Sequence, residues 1–266
     1  MLCDFHLHTA FSGDSKTPPR EQVERALALG MDEICITDHH DYDAGEAGDT
    51  FLLDFDAYFP YMKALQQEYA GRIRINIGVE LGLQAHIRDY LNRLTDGLDV
   101  DFLIGSSHFI DGRDPYYPSF FEGRSEQEAY ARYFASTLHR VRTLDCYDVL
   151  GHLDYVVRYG PHKNEHYSYD TYREYIDPIL KTLIERGKGL ECNTSGYKAG
   201  LGHPNPTEEI LSRYRELGGE ILTVGSDAHT PGYVGHEFAK TAALLRSCGF
   251  RYYTVFHGRK PEFLPL

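Results

Sequence analysis

Short apolar runs alternate along the whole chain with longer stretches whose apolar positions recur at helical spacing. The runs predict strands at 2–8, 33–37, 72–79, 101–105, 147–151, 189–193 and 220–224, with a short closing strand at 252–256. Between them, helical spacing predicts helices over 21–30, 56–70, 85–94, 125–144, 169–186, 207–217 and 237–248. Local punctuation agrees. Pro18 and Pro19 open the first helix and Gly30 closes it, while Thr207 stands at the N-cap of its helix with Glu209 in the first turn. Residues 12–15 form a loop, and residues 109–123, rich in Tyr, Phe, Pro and Gly, read as a longer loop over a site.

Strand followed by helix, repeated seven times, predicts a parallel sheet whose strands are joined by crossover helices. A β/α barrel gathers its chemistry where the loops after the strands surround one opening, whereas an open doubly wound sheet concentrates it at one switch point. Here polar residues end nearly every strand, and a barrel is the expectation. The first strand ends in His6-Leu7-His8, and its period of two sends both imidazoles off the same face.

With the following strands and loops, the candidates at this end are His6, His8, Asp14, His39, Glu80, His108, His152, Asp227 and His229. Each alone has an ordinary reading as a loop, turn or solvated strand end. Independent accidents would not place all nine at the same end of successive strands. Imidazole and carboxylate without thiolate suit zinc, iron or manganese. Nine ligands exceed the needs of one ion, so two or three metals sharing a water or hydroxide are expected, with Glu80 as the bridge. His40 is the alternative to His39.

With 266 residues, 42% hydrophobic content and no compositional break, the chain is expected to form a single domain over 1–266. A net charge of -13 argues against a nucleic-acid partner yet allows a small phosphorylated substrate beside local cations or metals. Five cysteines without a C-x-x-C pair suggest buried, reduced thiols in the cytoplasm. No charged leader precedes an apolar stretch, and no apolar run approaches the ~18 residues of a membrane helix, so no membrane partner is expected. Oligomeric state is not legible.

His6-x-His8, Thr37-Asp38-His39, Gly78-Val79-Glu80, Ser107-His108, Gly151-His152 and Ser226-Asp227-Ala228-His229 resemble the ordered motifs of the PHP (polymerase and histidinol phosphatase) superfamily over almost the whole chain. The resemblance implies a distorted seven-stranded (β/α)7 TIM-like barrel with a trinuclear phosphoesterase centre. It implies one metal on His6, His8, Glu80 and Asp227, a second on Asp14, His39 and His229, and a third on Glu80, His108 and His152. Many members carry histidine where this chain has Asp14. The stretches 151–160 and 191–198 resemble the monofunctional histidinol-phosphate phosphatase branch, which implies hydrolysis of L-histidinol phosphate in histidine biosynthesis.

For that reaction, Arg158 and Lys198, with Ser195 assisting, are the candidates to hold phosphate oxygens. By the family pattern Asp227 and His229 lie closest to the leaving oxygen, and Asp227 is the candidate proton donor. The aromatic loop (Phe109, Tyr116, Tyr117, Phe120, Phe121) could cover an imidazole ring, with Asp111 or Glu122 meeting an ammonium, or simply pack on the barrel rim. Three alternatives remain: a phosphoesterase of the same superfamily acting on another small ester such as a nucleotide, a metal-dependent amidohydrolase, and a metal-binding module without turnover. No lysine stands at a strand end among the ligands to bridge metals in the amidohydrolase manner.

Overall fold

In the computed structural model, which describes residues 3–266, the apolar runs become parallel strands: β1 (Glu33–Ile36), β2 (His39–His40), β3 (Arg74–Gly82), β4 (Phe102–Ser106), β5 (Val149–Leu150), β6 (Gly189–Asn193) and β7 (Leu222–Gly225). Leu2, the first residue of the earliest predicted strand, lies outside the described residues. The strands form one sheet in the order β1-β3-β4-β5-β6-β7, with β2 also pairing with β3. Every residue of β4, β5, β6 and β7 is buried. A parallel sheet covered on both faces explains why these strands read as nearly unbroken apolar runs.

Residues 4–8 join the two edges of this sheet. Cys35 and Thr37 donate their amides to the carbonyls of Asp4 and Leu7, each at 2.8 Å, on one side. On the other, Phe5 donates to Val224 at 3.0 Å, Asp227 to His6 at 2.8 Å and His8 to Ala228 at 3.0 Å. The architecture is thus α/β with a single curled parallel sheet. Residues 4–8 contribute parallel bridges at Asp4 and Leu7 rather than a continuous ladder.

Between the strands run α1 (Pro19–Ala28), α2 (Phe55–Glu68), α3 (Arg88–Asp96), α4 (Glu126–Thr143), α5 (Tyr169–Glu185), α6 (Ser195–Lys198), α7 (Glu208–Glu216) and α8 (Phe238–Ser247). Local chemistry sets several starts: Asp54 caps α2, and Ser125 with Glu128 forms a capping box on α4. Thr207 does occupy the N-cap position of α7, but its hydroxyl makes no capping bond. The predicted helix at 85–94 divides into a 3-10 turn, Ala85–Ile87, and α3.

The C-terminus is an antiparallel hairpin, β8 (Tyr252–His257) and β9 (Lys260–Pro265), turning at Gly258 and Arg259, both with positive φ of 54° and 65°. It closes the N-terminal ends of the sheet strands. Arg259 donates its amide to the Asp101 carbonyl and its Nε to Asp148, and Leu222 donates to the Thr254 hydroxyl. β9 is absent from the sequence expectation because it is almost wholly exposed and carries Pro261 and Pro265, so no apolar alternation marks it. All five cysteines are buried and free, and no described helix is long and apolar enough to cross a membrane.

Candidate metal centre

Glu80, on β3, is the hub at the C-terminal end of the sheet. Its register partner on β2 is His39, so pairing alone sets these two side by side. Glu80 Oε1 lies 2.8 Å from His152 Nε2 and 3.2 Å from His108 Nε2, and accepts from the Ser106 hydroxyl at 2.6 Å. Its other oxygen, Oε2, faces a different set: His39 Nδ1 at 2.9 Å, His6 Nε2 at 3.3 Å and His8 Nε2 at 3.4 Å. One carboxylate thus stands between two groups of imidazoles.

The ligand atoms of His6, His8 and Glu80 lie within 4.8 Å of one another, as do those of Glu80, His108 and His152, of His8, His39 and His229, and of His6, His152 and Asp227. Asp227 Oδ1 is 3.4 Å from His8 Nε2 and 3.8 Å from His6 Nε2. Asp14 Oδ2 reaches His229 Nε2 at 3.0 Å and His39 Nε2 at 3.6 Å from a more exposed position. The structure therefore brings all nine strand-end candidates to one place. His40 is turned away: its ring nitrogens meet the Tyr90 hydroxyl at 2.8 Å and the Leu53 amide at 3.2 Å.

Protein partners alone leave this cluster incomplete. Glu80 Oε2, His39 Nδ1, Asp41 Oδ2 and His152 Nδ1 are buried without a hydrogen bond, and the 2.9 Å approach of His39 to Glu80 is misaligned for one. His6 Nε2 and His8 Nε2 face each other at 3.0 Å. Buried polar atoms are normally satisfied, so carboxylate oxygens and ring nitrogens that converge here with several left unpaired fit a cation between them. The donors, imidazole nitrogen and carboxylate oxygen, are those of borderline divalent metals.

The electrostatics follow from the same crowding. Burial works against ionisation of Glu80, yet His6, His108 and His39 hold its carboxyl well below the ordinary range. Burial likewise opposes the charge on Asp227, but His6, His8 and Arg158 keep it ionised. His8 goes the other way: burial, with His39 and His229 beside it, lowers its pKa to about 3, leaving a neutral imidazole able to ligate.

An outer layer, not singled out from sequence, fixes the rings. Glu191 Oε1 sits 2.6 Å from His6 Nδ1, Asp41 Oδ1 2.9 Å from His108 Nδ1, and the Ser12 hydroxyl 3.0 Å from His8 Nδ1 while donating to Asp38 at 2.7 Å. Each leaves Nε2 free to face Glu80, the arrangement that orients metal-ligating histidines. Close packing demands glycine twice here. A Cβ on Gly82 would stand 2.0 Å from Asp41 Oδ1, and one on Gly225 would stand 2.3 Å from His6 Cβ and 2.5 Å from Glu191 Oε1. Asp227 itself adopts φ of 55°, local strain that aims its side chain inward.

Arg158 enters from the loop after β5. Its Nε donates to Asn205 Oδ1 at 2.8 Å, Nη2 to Asn193 Oδ1 at 3.0 Å and Nη1 to Asp227 Oδ2 at 3.0 Å. Burial would weaken its charge, but Asp227 beside it raises its pKa further. Ser195 donates toward Asn193 Oδ1 at 2.7 Å and Asp227 Oδ2 at 3.1 Å. Lys198 is exposed, with its ammonium 4.5 Å from the Tyr233 ring centre.

These groups line a cavity of about 630 Å³ whose wall includes Asp14, His39, His108, His152, Arg158, Ser195, Lys198, Asp227 and His229. The loop 109–123 does border it, through Phe109, Asp114, Tyr116 and Tyr117. Phe120 instead packs in the core. Asp111 and Glu122 are not in the wall: Asp111 is paired with Arg132 at 2.6 Å on the outside, and Glu122 is exposed.

The sequence profile of the PHP domain matches residues 4–195. A protein of Lactococcus lactis subsp. lactis (strain IL1403) named histidinol-phosphatase is 33% identical over 262 residues, covering 97% of this chain and 95% of that one. A Clostridium acetobutylicum protein named "Probable histidinol-phosphatase" is 30% identical over 94% of this chain and 95% of its own. The crystal structure of histidinol phosphate phosphatase from the same Lactococcus strain, complexed with zinc, L-histidinol and phosphate, superposes with a TM-score of 0.92 at 32% identity, covering 98% of each chain.

Proposed function

The chain belongs to the PHP domain family, and from that premise we propose that it is a metal-dependent phosphatase converting L-histidinol phosphate to L-histidinol and phosphate in cytoplasmic histidine biosynthesis. The observation that carries this reading is Glu80, with its two oxygens turned to separate imidazole groups, buried behind His39, His108 and His152, which line a cavity together with Arg158. We read the chain as one domain over 1–266 and its curled sheet as a distorted (β/α)7 barrel, with residues 4–8 as the stave between β1 and β7.

Three ions drawn from zinc, iron and manganese would be held by His6, His8, Glu80 and Asp227, by Asp14, His39 and His229, and by Glu80, His108 and His152. When bound, they supply positive charge against the phosphoryl oxygens and an acidified water as nucleophile. Arg158 spends three of its five N–H groups on Asn205, Asn193 and Asp227, which fixes the fork and leaves two for phosphate oxygens. Lys198 adds charge at the mouth, and Ser195 can turn its hydroxyl to the phosphate. The leaving alkoxide needs a proton. Asp227 rests as the carboxylate, so in this reading it takes a proton from the attacking water as the P–O bond to water forms. It then passes that proton to the alkoxide oxygen as the ester P–O bond breaks, with His229 beside it.

The test is phosphate release from L-histidinol phosphate beside a panel of phosphomonoesters and phosphodiesters, with metal content measured on the same preparation. The expected outcome is strong preference for L-histidinol phosphate and a loss of at least about a hundredfold in kcat/KM, with loss of metal, in His6→Ala. Turnover of other esters only would discard the substrate. Full metal occupancy without turnover would discard the enzyme.

A further inference from the structure

Four aspartates line the cavity: Asp14, Asp41, Asp114 and Asp227. Three of them face an imidazole or guanidinium within ion-pair distance. Among the described residues Asp114 has no such partner, although it is only 7% exposed. Its Oδ1 accepts from the Tyr116 amide at 2.8 Å and from the Tyr155 hydroxyl at 3.3 Å, and no donor among the described residues reaches Oδ2. Burial pushes this carboxyl up to about 6, although the Tyr116 amide, the more distant charge of His108 and the Tyr155 hydroxyl all pull it down.

Its surroundings are aromatic. Tyr116 stands edge-to-face with Tyr117 at 5.1 Å and with Tyr159 at 5.4 Å, and Tyr159 with Tyr155 at 5.0 Å. A buried carboxylate among tyrosine faces suits a compact organic cation, which gains an ion pair and the ring quadrupoles together. The turn that presents Asp114 is pinned from outside. Ile110 and Arg113 exchange amide bonds at 2.8 and 3.1 Å, Arg132 grips Asp111, and Arg140 donates to the Phe109 carbonyl. The carboxylate is thus held in place before any ligand arrives. Tyr155 links the two ends of the cavity, with the Arg158 guanidinium 5.3 Å from its ring centre and its hydroxyl on Asp114. Anion-binding and cation-binding groups stand one tyrosine ring apart, the scale of a short amino-alcohol phosphate.

We infer that Asp114, walled by Tyr116, Tyr155 and Tyr159, binds the ammonium group of the substrate and so selects amino-alcohol phosphates over amine-free ones. The inference rests on the proposed phosphatase reading for the orientation of the substrate, with phosphate toward Arg158 and amine toward Asp114. It assigns to Asp114 the part that the sequence offered to Asp111 or Glu122.

The test is calorimetric binding of L-histidinol and of the amine-free alcohol 3-(imidazol-4-yl)propan-1-ol to the metal-loaded protein and to Asp114→Asn. Wild type is expected to bind L-histidinol about tenfold or more tightly than the amine-free alcohol, and Asp114→Asn to lose that preference while binding the amine-free alcohol as before. Phenylalaninol, which keeps the ammonium and replaces the imidazole, should show the same loss in the variant. Equal weakening of all three ligands, or an undiminished preference in Asp114→Asn, would overturn the assignment. So would a wild type indifferent to the amine, an outcome that needs no variant to fold. Because neither alcohol carries phosphate, the binding result stands apart from hydrolysis, and failure of the phosphatase reading would be seen separately in the phosphate-release assay.

Discussion

At the N-terminal ends of the strands, both Asp148 oxygens share the Arg259 Nε–H at 2.6 and 2.8 Å, and Glu33 lies 2.5 Å from His257 Nε2 and accepts from Asn76 at 2.6 Å. At the opposite ends, Glu80, Asp227 and Asp41 face six imidazoles and leave Glu80 Oε2, His39 Nδ1 and Asp41 Oδ2 buried without hydrogen bonds. The same residue types serve both ends of one sheet. Below, opposite charges are matched within the protein, and the hairpin is held shut. Above, several buried polar atoms find no hydrogen bond among the described residues, and the donor set fits divalent cations from outside. Stability and chemistry are thereby separated along the strand axis, so substitutions at the two ends should have different signatures.

The largest expected effect is at the upper end. Glu191→Gln keeps an acceptor for the His152 amide but removes the charge 2.6 Å from His6 Nδ1. Metal affinity should fall about 10- to 100-fold by equilibrium titration, with the Tm of the metal-free protein changed by no more than about 2–4 °C, or about 1 kcal/mol. Unchanged affinity would mean that the outer carboxylate does not govern the ring.

At the lower end the signature reverses. Arg259→Ala leaves Asp148, 8% exposed, with the Leu103 amide, at 2.8 Å, as its one donor among the described residues. An unmatched buried carboxylate and a loosened hairpin should cost about 2 kcal/mol, or about 4–8 °C in Tm, with kcat/KM within about twofold of wild type. A large loss of activity at unchanged Tm would erase the division between the ends.

The upper end was the more legible of the two from sequence. Period-two strands put His6 with His8 and aligned the remaining strand ends, because the side-chain direction of a strand follows from its phase. The parallel sheet was legible for a similar reason: strands covered on both faces must be apolar throughout. Glu191 was hidden in the strand 189–193 as one polar residue of an inward-facing pair with Asn193, and its contact with His6 spans the closure of the sheet, which no local pattern reports. Asp41 and Asp114 were hidden because loops carry no period. The hairpin strand β9 was missed because an exposed, proline-bearing edge has no apolar phase.

The smallest effect sharpens the comparison through pH. His257 is pressed by burial toward the neutral form, but Glu262 at 2.8 Å and Glu33 at 2.5 Å outweigh this and raise its pKa above the ordinary imidazole value. A raised folded-state pKa means that folding takes up a proton. The stabilisation is fully present below the unfolded value and fades as pH rises through the folded one. His257→Ala should therefore destabilise most near about pH 6 and least near about pH 9, by under about 1 kcal/mol because solvent reaches the cluster and screens it. Thermal melts of the metal-free variant and wild type across that interval would measure the difference. A penalty that grew with pH would show that His257 acts at the lower end as a neutral packing group, and that Glu33 finds its counter-charge elsewhere.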